Sequence, residues 1–176
     1  MVTILAIHGG GIEPATTELA YTIAHRGDYN YFSFKGMRSE GNNELHVTST
    51  HYDDQIALDL VRGSQRTVAI HGCEGNESVA YIGGSDDRLI ELITESLEDI
   101  GISVREAPHH ISGTQENNIV NMTQTQGGVQ LELTAQLRKE LFKNRKSSRK
   151  NRENKDNWDD LMYDFADAMK KAIERA

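Results

Sequence analysis

A three-layer α/β/α sandwich with a mostly parallel, mixed sheet is the fold this sequence predicts, and three observations predict it. Short β-branched apolar runs alternate with stretches of helical periodicity along most of the chain. Two of those runs, residues 2–7 and 67–70, each stop at a histidine followed by glycine. At 176 residues the chain is the size of one domain, able to bury about two-thirds of its unfolded surface.

Each element has its own signal. Residues 2–7 (Val-Thr-Ile-Leu-Ala-Ile) read as a buried first strand. A helix follows from near Pro14, which suits a first turn, to Ala24, and Gly27 closes it. Residues 29–34 alternate aromatic and polar, a strand pattern, and Gly36 to Asn43 is loop. Another strand is expected at 45–50. Asp53 or Asp54 then caps a helix that reaches Arg62 and stops at Gly63. Residues 66–70 and 78–82 are strands separated by the loop from His71 to Glu77. Ser85-Asp86-Asp87 opens a helix with an apolar stripe of Leu89, Leu92, Ile93, Leu97 and Ile100, ended by Gly101. A short strand at 102–106 leads into a polar loop, and 129–133 is the last strand. Trp158, Leu161, Met162, Phe165, Met169 and Ile173 make the seam of a C-terminal helix.

In open parallel sheets the ligand site lies beyond the carboxyl ends of the strands. His8 and His71 both fall there. His8 opens the run His-Gly-Gly-Gly-Ile-Glu, which ends at Glu13 just before Pro14. Glycines let a backbone turn sharply and let a ligand approach, and histidine with carboxylate is a donor set that catalytic zinc takes. His8, Glu13 and His71 are therefore the candidate metal ligands. His109 and His110, after Pro108 in a polar loop, are the rivals for the third position. His71 is preferred because a strand end fixes a ligand better than a loop does. In residues 129–133 alternation sets Gln130 and Glu132 on the face opposite Val129, Leu131 and Leu133. A carboxylate there is costly in a central strand unless it is paired or meets a metal or substrate. On an edge strand it would simply face solvent.

These pieces together resemble the zinc carboxypeptidase-like superfamily: an H…E pair after the first strand, a later strand-end histidine, and a glutamate set in Leu-Glu-Leu. Within it, His-Gly-Gly-Gly-Ile-Glu-Pro, followed by Leu45-His46-Val47-Thr48-Ser49-Thr50-His51-Tyr52-Asp53 and Val68-Ala69-Ile70-His71-Gly72-Cys73, resembles the phage-type poly-γ-glutamate hydrolases. The likeness runs from the first strand to about Arg138. The first pair is spaced H-x-x-x-x-E here, against H-x-x-E in the carboxypeptidases. The resemblance implies one zinc ion per chain and cleavage of the γ-amide bonds of anionic poly-γ-glutamate. It further implies attack on the carbonyl by a zinc-bound water, with Glu132 as general base. Two other readings stand beside it. One is a related zinc amidase acting on a small N-acyl amino acid or a peptidoglycan γ-linkage. The other is a non-enzymatic polyanion-binding phage accessory protein.

Substrate contacts are expected from Arg138, which a turn brings back toward Glu132, and from Asn118 and Asn121 in the preceding loop. His51, at the end of the expected 45–50 strand, is a further lining candidate. His46, at odd separation from His51, would face away and reads as structural, as does His25 at a helix end. Cys73 is either a zinc ligand, a nucleophile or an inert small residue, and the last is preferred because it has no basic neighbour.

Charge and composition exclude several classes. The net charge is −8, which leaves no nucleic-acid footprint for the molecule as a whole. No run approaches the ~20 apolar residues of a membrane span, and one cysteine excludes an internal disulfide framework. Met1 leads straight into a strand without a signal segment, so a cytoplasmic location is expected, with lysis as the route to any action outside the cell. A monomer is favoured. The expected organisation is a single catalytic domain over 1–176. Within it, residues 143–155 hold seven basic side chains and one acid, and are expected to form a flexible segment before the C-terminal helix.

Overall fold

The computed structural model describes residues 1–176. Six strands are present: β1 (Val2–Gly10), β2 (Asn30–Gly36), β3 (Arg66–Cys73), β4 (Val79–Gly84), β5 (Ser103–Glu106) and β6 (Val129–Thr134). They form one sheet in the order β2-β1-β3-β6-β4-β5. All neighbouring pairs are parallel except β4 with β6, so the sheet is mixed and mostly parallel. The helices are α1 (Thr16–Gly27), α2 (Gln55–Arg62), α3 (Asp87–Glu98), α4 (Ala135–Glu140), α5 (Arg149–Arg152) and α6 (Asp160–Arg175).

Local chemistry sets the helix starts. Asp54, Asp86, Thr134 and Asp159 each accept a hydrogen bond from a first-turn amide of α2, α3, α4 and α6 respectively. α1 begins differently: Ala15, at a φ of 84°, turns the chain into the helix with no side-chain cap. The apolar stripes of α1, α3 and α6 pack on one face of the sheet in a single large core. α2 covers the other face with a smaller cluster around Leu5, Ile7, Ala69, Ile119 and Val120. Three layers result.

This division of helices positions the site. α1, after β1, and α2, before β3, lie on opposite faces, so the chain changes direction between β1 and β3. A crevice opens at such a switch point, beyond the strands' carboxyl ends. β6 lies between β3 and β4, which makes Glu132 a central-strand residue and excludes the solvent-facing edge.

Two segments differ from expectation. Residues 45–50 form no strand; a 3-10 turn at Asn42–Leu45 is followed by irregular chain. The segment pairs with no strand; it crosses the carboxyl end of the sheet, where the Val47 carbonyl meets His8 Nε2 at 2.7 Å. Residues 143–155, expected as a flexible linker, contain two 3-10 turns and α5. Arg152 is buried there beside Glu18, and its carbonyl accepts the Trp158 indole N–H at 2.8 Å. A buried aromatic and a buried cation anchor this stretch despite its charge.

Candidate metal centre and cleft

β1 delivers His8 and β3 delivers His71, side by side at the switch point and each 2% exposed. The longer H-x-x-x-x-E loop still returns Glu13 to the histidine, because the Glu13 N–H donates to the His8 carbonyl at 2.8 Å and closes the loop. Glu13 Oε2 then accepts the Gly72 N–H at 2.8 Å, which bolts the carboxylate to the end of β3. Glu13 Oε1 lies 3.1 Å from His8 Nδ1, and His71 Nδ1 lies 3.1 Å from His8 Nδ1 and 3.6 Å from Glu13 Oε2.

The protonation state decides what this cluster is built for. His8 Nε2 is 2.7 Å from the Val47 carbonyl, which can only accept, so Nε2 carries a proton. Burial, reinforced by the charge of His71 and opposed by Glu13, lowers the pKa of His8 and favours the neutral ring. Its Nδ1 lone pair therefore faces a carboxylate oxygen at 3.1 Å. Two acceptors in that position repel unless a proton from His71 Nδ1, 3.1 Å from His8 Nδ1, or a metal cation stands between them. Donors about 2.0–2.1 Å from a tetrahedral zinc lie about 3.3–3.4 Å from one another, close to the separations seen. The Val47 carbonyl is also the kind of partner that orients a metal-binding imidazole. These residues fit zinc.

Burial works to raise the Glu13 carboxyl, but hydrogen bonds from His46 and His71 outweigh it and hold the group well below the usual carboxylate range. At His71 burial pulls the pKa down, while Glu13 and Glu132 more than offset it and carry it upward. Glu13 is thus a fixed anion.

Glu132 sits beside this cluster because β3 and β6 pair in parallel with His71 opposite Glu132. Gln130, two residues earlier on the same face, donates from Nε2 to Glu132 Oε1 at 2.9 Å. Asn118 in turn donates to Gln130 Oε1 at 3.1 Å. Burial raises the Glu132 pKa; His71 and the Gln130 donor pull against it. Gln130→Leu removes that donor, so the Glu132 pKa should rise further. If Glu132 works as an ionised base, the acid limb of the kcat/KM profile moves to higher pH; a profile identical to wild type would remove Gln130 from this role.

A cleft of about 350 Å³ lies over these groups. Thr48, Ser49 and Thr50 of the irregular segment line one side, and His110, Ile111 and Gly113 another. Of the substrate-contact candidates, Asn118 lines the cleft. Asn121 does not: its side-chain amide is spent on the Gly113 and Gln115 carbonyls and the Gly128 N–H. His51 is exposed and outside the cleft, since the strand expected to aim it is absent. His110 reaches the rim, His109 does not, and neither joins the His8–Glu13–His71 cluster. Burial pushes the Cys73 thiol up to about 11, which suits an inert residue.

Arg138 is a brace. Its Nε donates to the Leu133 carbonyl at 3.1 Å and its terminal nitrogens to those of Pro14 and Cys73, each at 3.0 Å. It ties the loops after β1 and β3 to β6 and leaves the cleft without its charge. Arg138→Ala strips donors from three carbonyls at once, so it should cost at least about 3 kcal/mol of stability. A melting temperature within a degree or so of wild type would contradict that role.

Sequence reasoning missed two residues. His46 stacks on His8 with ring centroids 3.7 Å apart, and its Nε2 lies 3.4 Å from Glu13 Oε1. The donor atoms of His8, Glu13 and His46 all lie within 4.8 Å of one another. The strand alternation that aimed His46 away does not apply to irregular chain. Gln130 had a signal, since it shares a strand face with Glu132 two residues on.

A profile described as Poly-gamma-glutamate hydrolase matches residues 1–168. The chain belongs to the poly-gamma-glutamate hydrolase family. A solved structure of bacteriophage poly-gamma-glutamate hydrolase shares 32% identity and a TM-score of 0.94 with it, over 99% of this chain and 83% of that one. A zinc-free structure of YndL shares 31% identity and a TM-score of 0.91, over 98% of this chain and 84% of that one. The SPbeta prophage-derived UPF0714 protein YoqZ of Bacillus subtilis (strain 168) is 39% identical over 80% of this chain and 52% of its own length. The chain spans about half the length of the first curated relatives it matches. No helix is long and apolar enough to cross a membrane.

Proposed function

We propose that this chain is a zinc-dependent hydrolase that cleaves γ-glutamyl amide bonds of poly-γ-glutamate. His8, Glu13 and His71 would hold the ion. The observation that carries the proposal is the His8 Nδ1 lone pair held 3.1 Å from Glu13 Oε1, with Glu132 in register beside His71. Family membership supplies the substrate class, and the zinc-free form of the relative YndL supports zinc as the metal.

Bound zinc would lower the pKa of a water and polarise the amide carbonyl. The rest is done by the chain. Glu132 takes a proton from the attacking water and delivers it to the leaving amine, which would otherwise be expelled as an unstable anion. Gln130 and Asn118 hold that carboxylate in one orientation, and Arg138 fixes the two loops that carry the metal donors.

Metal analysis of the purified protein should find one zinc per chain. Incubation with purified polymer should give short oligomers, and a chelator should stop the reaction until zinc is restored. An unchanged polymer with rapid cleavage of a small N-acyl amino acid would make the chain an amidase of another substrate class. No amide cleavage with no bound metal would end the hydrolase reading.

A further inference from the structure

The loop from His8 to Pro14 has two sides. One carries His8 and Glu13 into the catalytic cleft. On the other, Gly10, Gly11 and Pro14 wall a second cavity of about 340 Å³, completed by α1, the end of β2 and α5. Gly10 and Gly11 present backbone to this cavity, while Gly9 is buried beneath Thr17 and Ser33.

Four cations line this second cavity, Lys35, Arg38, Arg149 and Arg152, against two acids, Glu18 and Glu153. In a chain of net charge −8 that local excess runs against the whole. Arg38 and Arg149 are partly engaged, with Glu44 and Glu153 at 2.7 and 2.8 Å. Arg152 is not well satisfied. It is buried, its Nε has no hydrogen-bond partner, and the nearest Glu18 oxygen is 3.5 Å away. One terminal nitrogen reaches the Gly10 carbonyl only at 3.5 Å, while the other donates to Ser147 at 2.6 Å. Burial raises the pKa of Glu18, so it is a reluctant counter-ion. Lys35 is exposed. Arg152 Nε is closed off, but the Arg152 charge, which Glu18 at 3.5 Å only partly balances, and the exposed Lys35 ammonium suit a carboxylate in this polar cavity.

We infer that this second cavity is a subsite for a substrate α-carboxylate on a glutamyl unit away from the bond being cut. The inference rests on the poly-γ-glutamate reading above. A γ-linked polymer presents a free α-carboxylate on every unit, so with one unit in the catalytic cleft another unit along the chain supplies the carboxylate for this cavity on the other side of the His8–Pro14 loop. The other basic residues of 143–155 lie in the same stretch as Arg149 and Arg152 and would draw the polyanion toward the subsite.

The test is binding without cleavage. A fluorescent γ-linked glutamate oligomer is titrated into the full chain after metal removal. Wild type should bind, more weakly as salt rises. Lys35→Glu should weaken binding about tenfold or more, a loss of about 1.4 kcal/mol or more, with unchanged circular dichroism and zinc affinity. Lys171→Glu, the same charge reversal at a residue paired with Asp99, should bind as wild type does. Equal affinity for wild type and Lys35→Glu would overturn the subsite. So would tighter binding of a single-stranded oligodeoxynucleotide of matched charge, or no oligomer binding at all. Lys35-dependent binding by a protein that never cuts the polymer when zinc-loaded would keep the subsite and remove the hydrolase reading.

Discussion

Glu132→Gln is expected to hold zinc as wild type does and to lose turnover by ~10²–10⁴-fold, the range that a positioned general base contributes. The substitution keeps the shape of the side chain and its place beside Gln130 and His71. It removes only the ability to take and return a proton. Single-turnover cleavage of polymer by the zinc-loaded variant is the measurement. Near-normal rates would show that the proton leaves by another route, and Glu132 would then be reduced to shaping the field around His71.

Loss of a metal donor should act on affinity itself. His8→Ala and His71→Ala should each weaken zinc binding by more than the ~10–100-fold that removal of an orienting neighbour costs. His46→Ala should stay within that smaller range. The distinction follows from where the side chains sit. His8 and His71 are buried at strand ends, whereas the His46 side chain is 44% exposed on irregular chain. A catalytic zinc takes three protein donors and keeps a fourth position for water, and a fourth protein ligand would close it. Competition against a chromophoric chelator reads the affinities directly. Tight zinc in His71→Ala with loss in His46→Ala would rewrite the donor set as His8, Glu13 and His46.

The parts of the site that follow from strand grammar were readable in advance. β1 and β3 announce themselves as apolar runs ending in His-Gly, and carboxyl ends are where parallel sheets bind ligands, so His8 and His71 could be paired before any coordinates. Glu132 was legible as an acid flanked by leucines, costly in a central strand, with a solvent-facing edge the alternative that the strand order removes. The strand order that puts it next to His71 was not, because which strands pair depends on the packing of α1, α2, α3 and α6 rather than on any local signal. The segment around His46 misled in the opposite direction. His-Val-Thr-Ser-Thr alternates as a strand does, but propensity is context-dependent, and here the Val47 carbonyl serves His8 rather than a ladder. For Arg138, Asn121 and His51, the sequence neighbourhood alone suggests substrate contacts. A buried guanidinium serves whatever acceptors lie within reach, and the Arg138 donors are taken by the Leu133, Pro14 and Cys73 carbonyls. Residues 143–155 show the limit of composition: charge density argued for solvent, and one indole and one buried arginine argued successfully for attachment.

The hydrogen bond between Glu13 and the Gly72 amide spans 59 positions of sequence, and His8 meets His71 across 63. Donors so far apart in the chain have no shared geometry until β1 and β3 lie side by side. Small zinc domains, by contrast, unfold when the ion is removed. With the proposed donor set the expected order is the reverse: the polypeptide would reach its native form first, and the ion would enter a formed receptacle. Depleting the ion should therefore yield a folded, reloadable apoprotein, and excess zinc should lift the melting temperature by mass action alone. In a cell, activity would then be set by how much zinc is at hand after synthesis, with no loss of protein while the supply is short.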